Sequence, residues 1–187
     1  MMSRGNRASG RPGTATFLAE VGVAAAMSFI LSKLEVWKMP QGGSVSLEML
    51  PLLYLAFARG PAQGAAAGLV TGILDIMFGG YIVHPIQAIL DYPLGYAVVG
   101  MAPVLAAGRG WLRIVSGTLG GFLLQLGCYV LSGAVFFAEY APEGVSPWVY
   151  SVTYNASFLI PELILSAVVI VYLLGRTGGR ARRSTRR

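Results

Sequence analysis

Charge is scarce in this chain, and the residues of soluble-enzyme chemistry are scarcer. Of its 187 residues only 12% are Asp, Glu, Lys or Arg, about half the share a soluble domain carries. A single cysteine, Cys128, excludes an intrachain disulfide and leaves the redox compartment unmarked. The single histidine, His84, stands beside Pro85 with no partner at metal-ligand spacing, so no metal site is expected. A Gly-rich phosphate loop, a GxSxG elbow and a CxxC pair are all missing, and no Ser or Cys has a base placed by spacing. Catalysis and a bound cofactor are therefore not expected.

Apolar residues fill the space that charge leaves. They make up 55% of the chain, and the mean hydropathy is +0.65, which places the chain in lipid. A spanning helix needs roughly 20 residues. Divided at Gly, Pro and charged punctuation, the apolar stretches fall near 15–36, 45–58, 62–79, 84–107, 111–138 and 147–174. The reading is an all-α integral membrane protein, a bundle of six transmembrane helices. The second stretch is short for a span and needs its flanks, or a loop folded into the bundle. Residues 1–14 form a basic segment without a cleavage motif, 15–175 the membrane domain, and 176–187 a basic tail.

Arginine placement orients the bundle. With the N-terminus inside, Arg4, Arg7, Arg11, Arg59, Arg109, Arg113 and the six arginines from Arg176 to Arg187 all face the cytoplasm. The opposite side receives Lys38, with Lys33 near the end of the first span, and Glu35, Glu139 and Glu143. Positive loops stay inside, so both termini are expected in the cytoplasm of a multi-pass cell-membrane protein. Arginine runs beside membrane helices serve topology and attraction to anionic lipid. Lipid is thus an expected partner and nucleic acid is not.

Small residues recur at helical spacing. Gly64, Gly68 and Gly72 share one face of the third stretch, and Gly22 and Ala26 one face of the first. Such faces let helices approach closely. Internal packing is the expected use of the 64–72 ridge.

Carboxylates inside apolar stretches cost a few kcal/mol on insertion scales, so each should face a cavity or a partner. The candidates are Glu20, Glu48, Asp75, Asp91 and Glu162. Glu20 suits the cytoplasmic interface; Asp75 and Glu162 suit pairing with neighbouring helices. Asp91 stands in YIVHPIQAILDYPLGY, where Gln87 lies one turn before it, Tyr92 adjoins it and Tyr81 precedes it in the loop. Pro93 frees a backbone carbonyl one turn back. Trp148, Tyr150, Tyr154 and Asn155 follow toward the same non-cytoplasmic side. A flat cationic ligand needs such a set: charge neutralisation, aromatic faces and directional hydrogen bonds. An interfacial aromatic belt beside a locally satisfied carboxylate accounts for the same residues. Both readings stand on the residues alone.

Four segments carry a resemblance: EVGVAAAMSFILS, GGSVSLEMLPLLYLAFARG, YIVHPIQAILDYPLGY and FFAEYAPEGVSPWVYSVTYN. Together they resemble the thiamine-specific substrate-binding (S) components of energy-coupling factor (ECF) transporters, from about residue 18 to 165. The last two are the specific ones, with Tyr81 ten residues before Asp91 and Tyr150 five before Asn155. The resemblance implies that thiamine is bound from outside and carried inward with a transmembrane coupling subunit and ABC ATPases. It implies that Asp91 holds the cation, Tyr81 and Tyr92 line the pocket, and Tyr150 and Asn155 contact the ligand from the sixth helix; Gln87, one turn from Asp91, is expected to join them. It also assigns Gly22 and Ala26 to docking the coupling subunit.

Three positions depart from the family. Asp91 stands where Glu is usual, Tyr129 aligns with a histidine, and Phe137 with a stacking tryptophan. An aromatic face survives at both of the latter. The alternatives are an S component for another vitamin or a thiamine precursor, and a small membrane enzyme or assembly factor.

Overall fold

The computed structural model describes residues 13–39 and 43–184, with side chains as far as Gly175. The terminal arginines at 4, 7, 11 and from 176 onward lie outside the described side chains. The described residues are mostly helical, and the expected six-helix membrane bundle is what they form.

The first helix, α1 (Thr14–Ser32), ends where Lys33 caps it, earlier than the apolar run suggests. A two-residue hairpin follows: β1 (Trp37–Lys38) pairs antiparallel with β2 (Ser44–Val45), Trp37 opposite Val45. Gly43 at its return lies so close to the Phe158 ring that any side chain there would collide with it. The short second span is thus a loop folded onto the bundle followed by α2 (Met49–Arg59) of only 11 residues.

That short helix is central. Met49, Leu52 and Leu53 are wholly buried, and α2 contacts α1, α3 (Pro61–Met77), α5 (Gly95–Gly100) and α7 (Pro147–Ser184). A helix walled by protein need not match the bilayer. Gly60 separates α2 from α3 at φ +130°, a conformation that only glycine adopts freely, and Pro61 starts α3 where its missing N–H costs nothing.

The fourth span is not one regular helix. It comprises α4 (Pro85–Ile89), a π-helical turn (Leu90–Leu94) and α5. Pro93 has no N–H to give, and Gly95 N–H reaches back five residues to the Leu90 carbonyl, the wider spacing of a π turn. After a 3₁₀ turn at Ala102–Val104 come α6 (Trp111–Phe136), another 3₁₀ turn at Ala138–Tyr140, and α7 packed along α6. By length and apolarity, Thr14–Ser32, Trp111–Phe136 and Pro147–Gly175 each suffice to cross a membrane.

The glycine ridge of α3 packs internally, as expected. Gly64 meets Gly100, Gly68 meets Tyr96 and Ala97, and Gly72 meets Tyr92 and Pro93, backbone against backbone. A methyl at Gly68 would lie 2.5 Å from the Tyr96 carbonyl oxygen, whereas one at Gly22 meets nothing within 4 Å. Opposite signs follow. Gly22→Ala should hold or raise the thermal midpoint in detergent, since Gly costs a helix about 0.5–1 kcal/mol relative to Ala. Gly68→Ala should lower it, by overpacking worth about 1–3 kcal/mol. Equal midpoints for the two variants would refute the close-approach account of α3.

Candidate functional site

The π turn aims Asp91 into a cavity of about 200 Å³. Its walls come from the α1–α2 loop, the α3–α4 loop, the α4–α5 segment, α6 and α7. The arginine-bearing connections, at Arg59 and at Arg109 and Arg113, belong to the opposite end of the helices. All eight residues singled out for ligand contact line this space: Asp91, Tyr81, Tyr92, Gln87, Tyr129, Phe137, Tyr150 and Asn155. A cluster inferred from two distant stretches of chain is one surface in space.

Gln87 organises the acid. Its amide nitrogen donates to Asp91 Oδ2 at 2.7 Å and to the Tyr81 carbonyl at 3.0 Å, while its oxygen accepts from Val83 N–H at 3.0 Å. Wholly buried and committed on every side, it fastens the α3–α4 loop to the carboxylate. The Tyr92 hydroxyl accepts from Tyr81 N–H at 2.6 Å and holds the same loop. Gln87 therefore orients the groups around it and keeps no amide hydrogen for a ligand.

Aromatic rings surround the acid. Tyr81 and Phe137 stack at 6.0 Å and 25°, with Tyr140 tilted on Phe137 at 6.1 Å. On the other wall Tyr150, Tyr154 and Phe158 follow one another along α7 at 5.9 and 6.1 Å. Asn155 ties α7 to α6. Its amide donates to the Ser151 carbonyl at 2.9 Å and to the Tyr129 carbonyl at 3.4 Å, and the Ser151 hydroxyl donates to the Val130 carbonyl at 3.0 Å.

The cavity is more acidic than the sequence reading drew it. Glu48, Asp75 and Glu162 also face it, with Tyr96 among them. Asp75 does pair between helices as expected, with Lys33 Nζ at 3.3 Å and Ser32 Oγ at 3.4 Å. Glu162 has Ser46 Oγ at 3.5 Å, and the Tyr96 hydroxyl lies 3.4 Å from Glu48 Oε2. These pairings do not remove the three acids from the wall. With Glu35 also on the wall, five carboxylates against one lysine make a space for a cation or a donor-rich ligand. Glu20 lies elsewhere, paired with Arg59 at 2.8 Å near the arginine-bearing end. Among the described residues no group of three or more His, Cys, Asp or Glu is arranged to hold a metal ion.

Ser132, Ser151, Tyr154 and Phe158 also line the cavity, and sequence reasoning passed over most of them. Their signal was present: Ser151, Tyr154 and Phe158 recur at helical spacing on the α7 face that carries Asn155.

Comparison with known proteins gives the family and the fold. The family model for the thiamine transporter protein (Thia_YuaJ) matches residues 18–179. The thiamine transporter ThiT of Bacillus subtilis (strain 168) is 36% identical over 170 residues, covering 83% of this chain and 88% of that protein. ThiT of Lacticaseibacillus paracasei is 28% identical over 176 residues, covering 84% and 86% respectively. Among solved structures, ThiT from Listeria monocytogenes superposes with a TM-score of 0.74 at 24% identity, over 88% of this chain and 96% of that one. The S component of a bacterial ECF transporter gives 0.63 at 17% identity, over 89% and 98%. The two structures share the fold; the family match and the Bacillus relative carry the assignment. This chain belongs to the thiamine transporter protein family.

Proposed function

We propose that this chain is the thiamine-binding S component of an ECF-type importer, taking the vitamin from outside and delivering it inward with an energising module. One observation carries the reading: a single cavity joins a carboxylate fixed by Gln87 to stacked aromatic walls. Thiamine has a cationic thiazolium ring, a flat aminopyrimidine and a hydroxyethyl arm. Asp91 supplies the opposite charge, Tyr81, Tyr92, Phe137, Tyr129 and Tyr150 supply ring faces, and Asn155 holds the α6–α7 wall. Cation–π contact over such faces adds about 0.5–2 kcal/mol each.

The cavity opens at the end away from the arginine-bearing loops, which by the positive-inside rule is the outer face. Both termini then lie in the cytoplasm. The chain supplies a binding site, so transport requires partners: a coupling subunit and, through it, ABC ATPases. Gly22 and Ala26 suit that contact. Both are exposed on α1, and the neighbouring Leu18, Val23, Met27 and Ile30 are exposed apolar residues with no other helix of the described residues over them.

Four measurements test the reading. Asp91→Asn keeps the shape and removes the charge. A charged hydrogen bond contributes about 1.5–3 kcal/mol, so thiamine binding should weaken by at least roughly tenfold, while Asp91→Glu should retain it. Thiamine binding by Asp91→Asn equal to the parent's removes the carboxylate from the cation's side. Titration against the separate pyrimidine and thiazole moieties distinguishes thiamine from a precursor, which the departures at Tyr129 and Phe137 make the second candidate. For orientation, a cysteine at Glu143 in a Cys128→Ser background should react with an impermeant reagent on sealed cells, and one at Ser184 only after lysis. The reverse pattern inverts the topology. For docking, Ala26→Trp should leave thiamine binding by the isolated subunit intact and abolish uptake by the assembled transporter. Loss of binding as well assigns the face to the subunit's own folding.

A further inference from the structure

Gln125 and Tyr129 lie one turn apart on α6. Gln125 has no solvent exposure, and its Oε1 is buried without a hydrogen-bond partner among the described residues. Leaving an amide oxygen unpaired in such surroundings is unfavourable, so the side chain is not there for packing alone. Among the described residues its side chain makes one hydrogen bond, from Nε2 to the Tyr129 hydroxyl oxygen, at 3.0 Å.

The Tyr129 ring cannot easily move. It rests over Gly95, where an added side-chain carbon would lie 2.8 Å from Cε1, and packs against Phe158 at 6.2 Å. With ring and oxygen both fixed, the remaining freedom is the hydroxyl proton. A hydroxyl that accepts from an amide directs its own hydrogen elsewhere. Tyr129 lines the cavity, and among the described residues no acceptor receives that hydrogen.

We infer that Gln125 is a positioning residue that fixes the Tyr129 hydroxyl as a hydrogen-bond donor into the cavity, selecting ligands that present a neutral acceptor to α6. The inference rests on the thiamine reading for the identity of the probe. Thiamine offers three such acceptors: two pyrimidine ring nitrogens and the hydroxyethyl oxygen. In a cavity with five carboxylates, a fixed donor on the α6 wall sets which way round the ligand lies. It also disfavours cations of similar size that carry no acceptor there.

The test is a double-mutant cycle on the full chain in detergent, read by thiamine titration. Tyr129→Phe should weaken binding about five- to tenfold. Gln125→Met, similar in shape and without the amide, should weaken it less and in the same direction. The double variant should bind no worse than Tyr129→Phe alone, because the two act as one unit. Gln125→Glu is a second probe: its carboxylate accepts the phenolic proton and turns it from the cavity, so this variant should match Tyr129→Phe. A further arm uses thiamine analogues with either pyrimidine nitrogen replaced by CH, or with hydroxyethyl replaced by ethyl. One of the three should bind the parent and Tyr129→Phe equally. Multiplying losses in the double variant, or equal sensitivity of all three analogues to Tyr129→Phe, overturns the inference and leaves the thiamine reading standing. A parent chain that binds none of the thiamine series overturns both.

Discussion

The seating of α3 against the segment from Tyr92 to Gly100 is the contact on which the site depends. Gly64, Gly68 and Gly72 bring two backbones together with no side chain between them. The last of the three rests on Pro93, inside the π turn that carries Asp91. Packing of this kind is favoured in lipid, where apolar surface gains nothing by leaving the bilayer and close van der Waals contact must hold helices together. The carboxylate thus sits on an irregular turn whose position is fixed from behind. Irregular backbone at membrane depth is tolerated where protein encloses it or it lines a cavity, and here both hold.

From that turn the polar network spreads outward. Gln87 links Asp91 to the Tyr81 carbonyl and to Val83, and the Tyr92 hydroxyl takes the Tyr81 N–H. The α3–α4 loop is therefore fastened at two points to the helix that bears the acid, and the Tyr81 ring stacks on Phe137 in one wall of the cavity. Asn155 and Ser151 do the corresponding work between α6 and α7. Polar side chains that would be costly in hydrocarbon are spent on shaping one space, and Gln87, Asp91, Ser151 and Asn155 all line it.

Much of this was legible in the sequence, for identifiable reasons. Six apolar stretches are a long-range average that survives errors at any single residue. Gln87 and Asp91 lie one turn apart, so local spacing alone put them on one face. The hairpin at 37–38 and 44–45 was not legible, because two residues per strand leave no alternation to read. The widened turn at Leu90–Leu94 was half visible: Pro93 announced a lost hydrogen bond without saying whether a kink or a π turn would absorb it. The acids of the cavity floor were hidden by distance along the chain. Ser46 meets Glu162 across 116 residues and Ser32 meets Asp75 across 43, and periodicity carries no information about such pairs.

The unequal lengths of the outer helices have a mechanical consequence. At 1.5 Å per residue, the 17 residues of α3 and the 16 from Pro85 to Gly100 rise about 26 and 24 Å, while the 26 of α6 rise about 39 Å. A typical hydrocarbon core is about 30 Å thick. One flank of the bundle is shorter than the bilayer and the other longer, which is hydrophobic mismatch of opposite sign on two sides of one molecule. Lipid must thin along α3 and the Asp91 helix, or the whole subunit must lean so that its long flank lies oblique. The resting tilt of this protein, and with it the angle at which its cavity meets the water, is therefore set partly by membrane thickness.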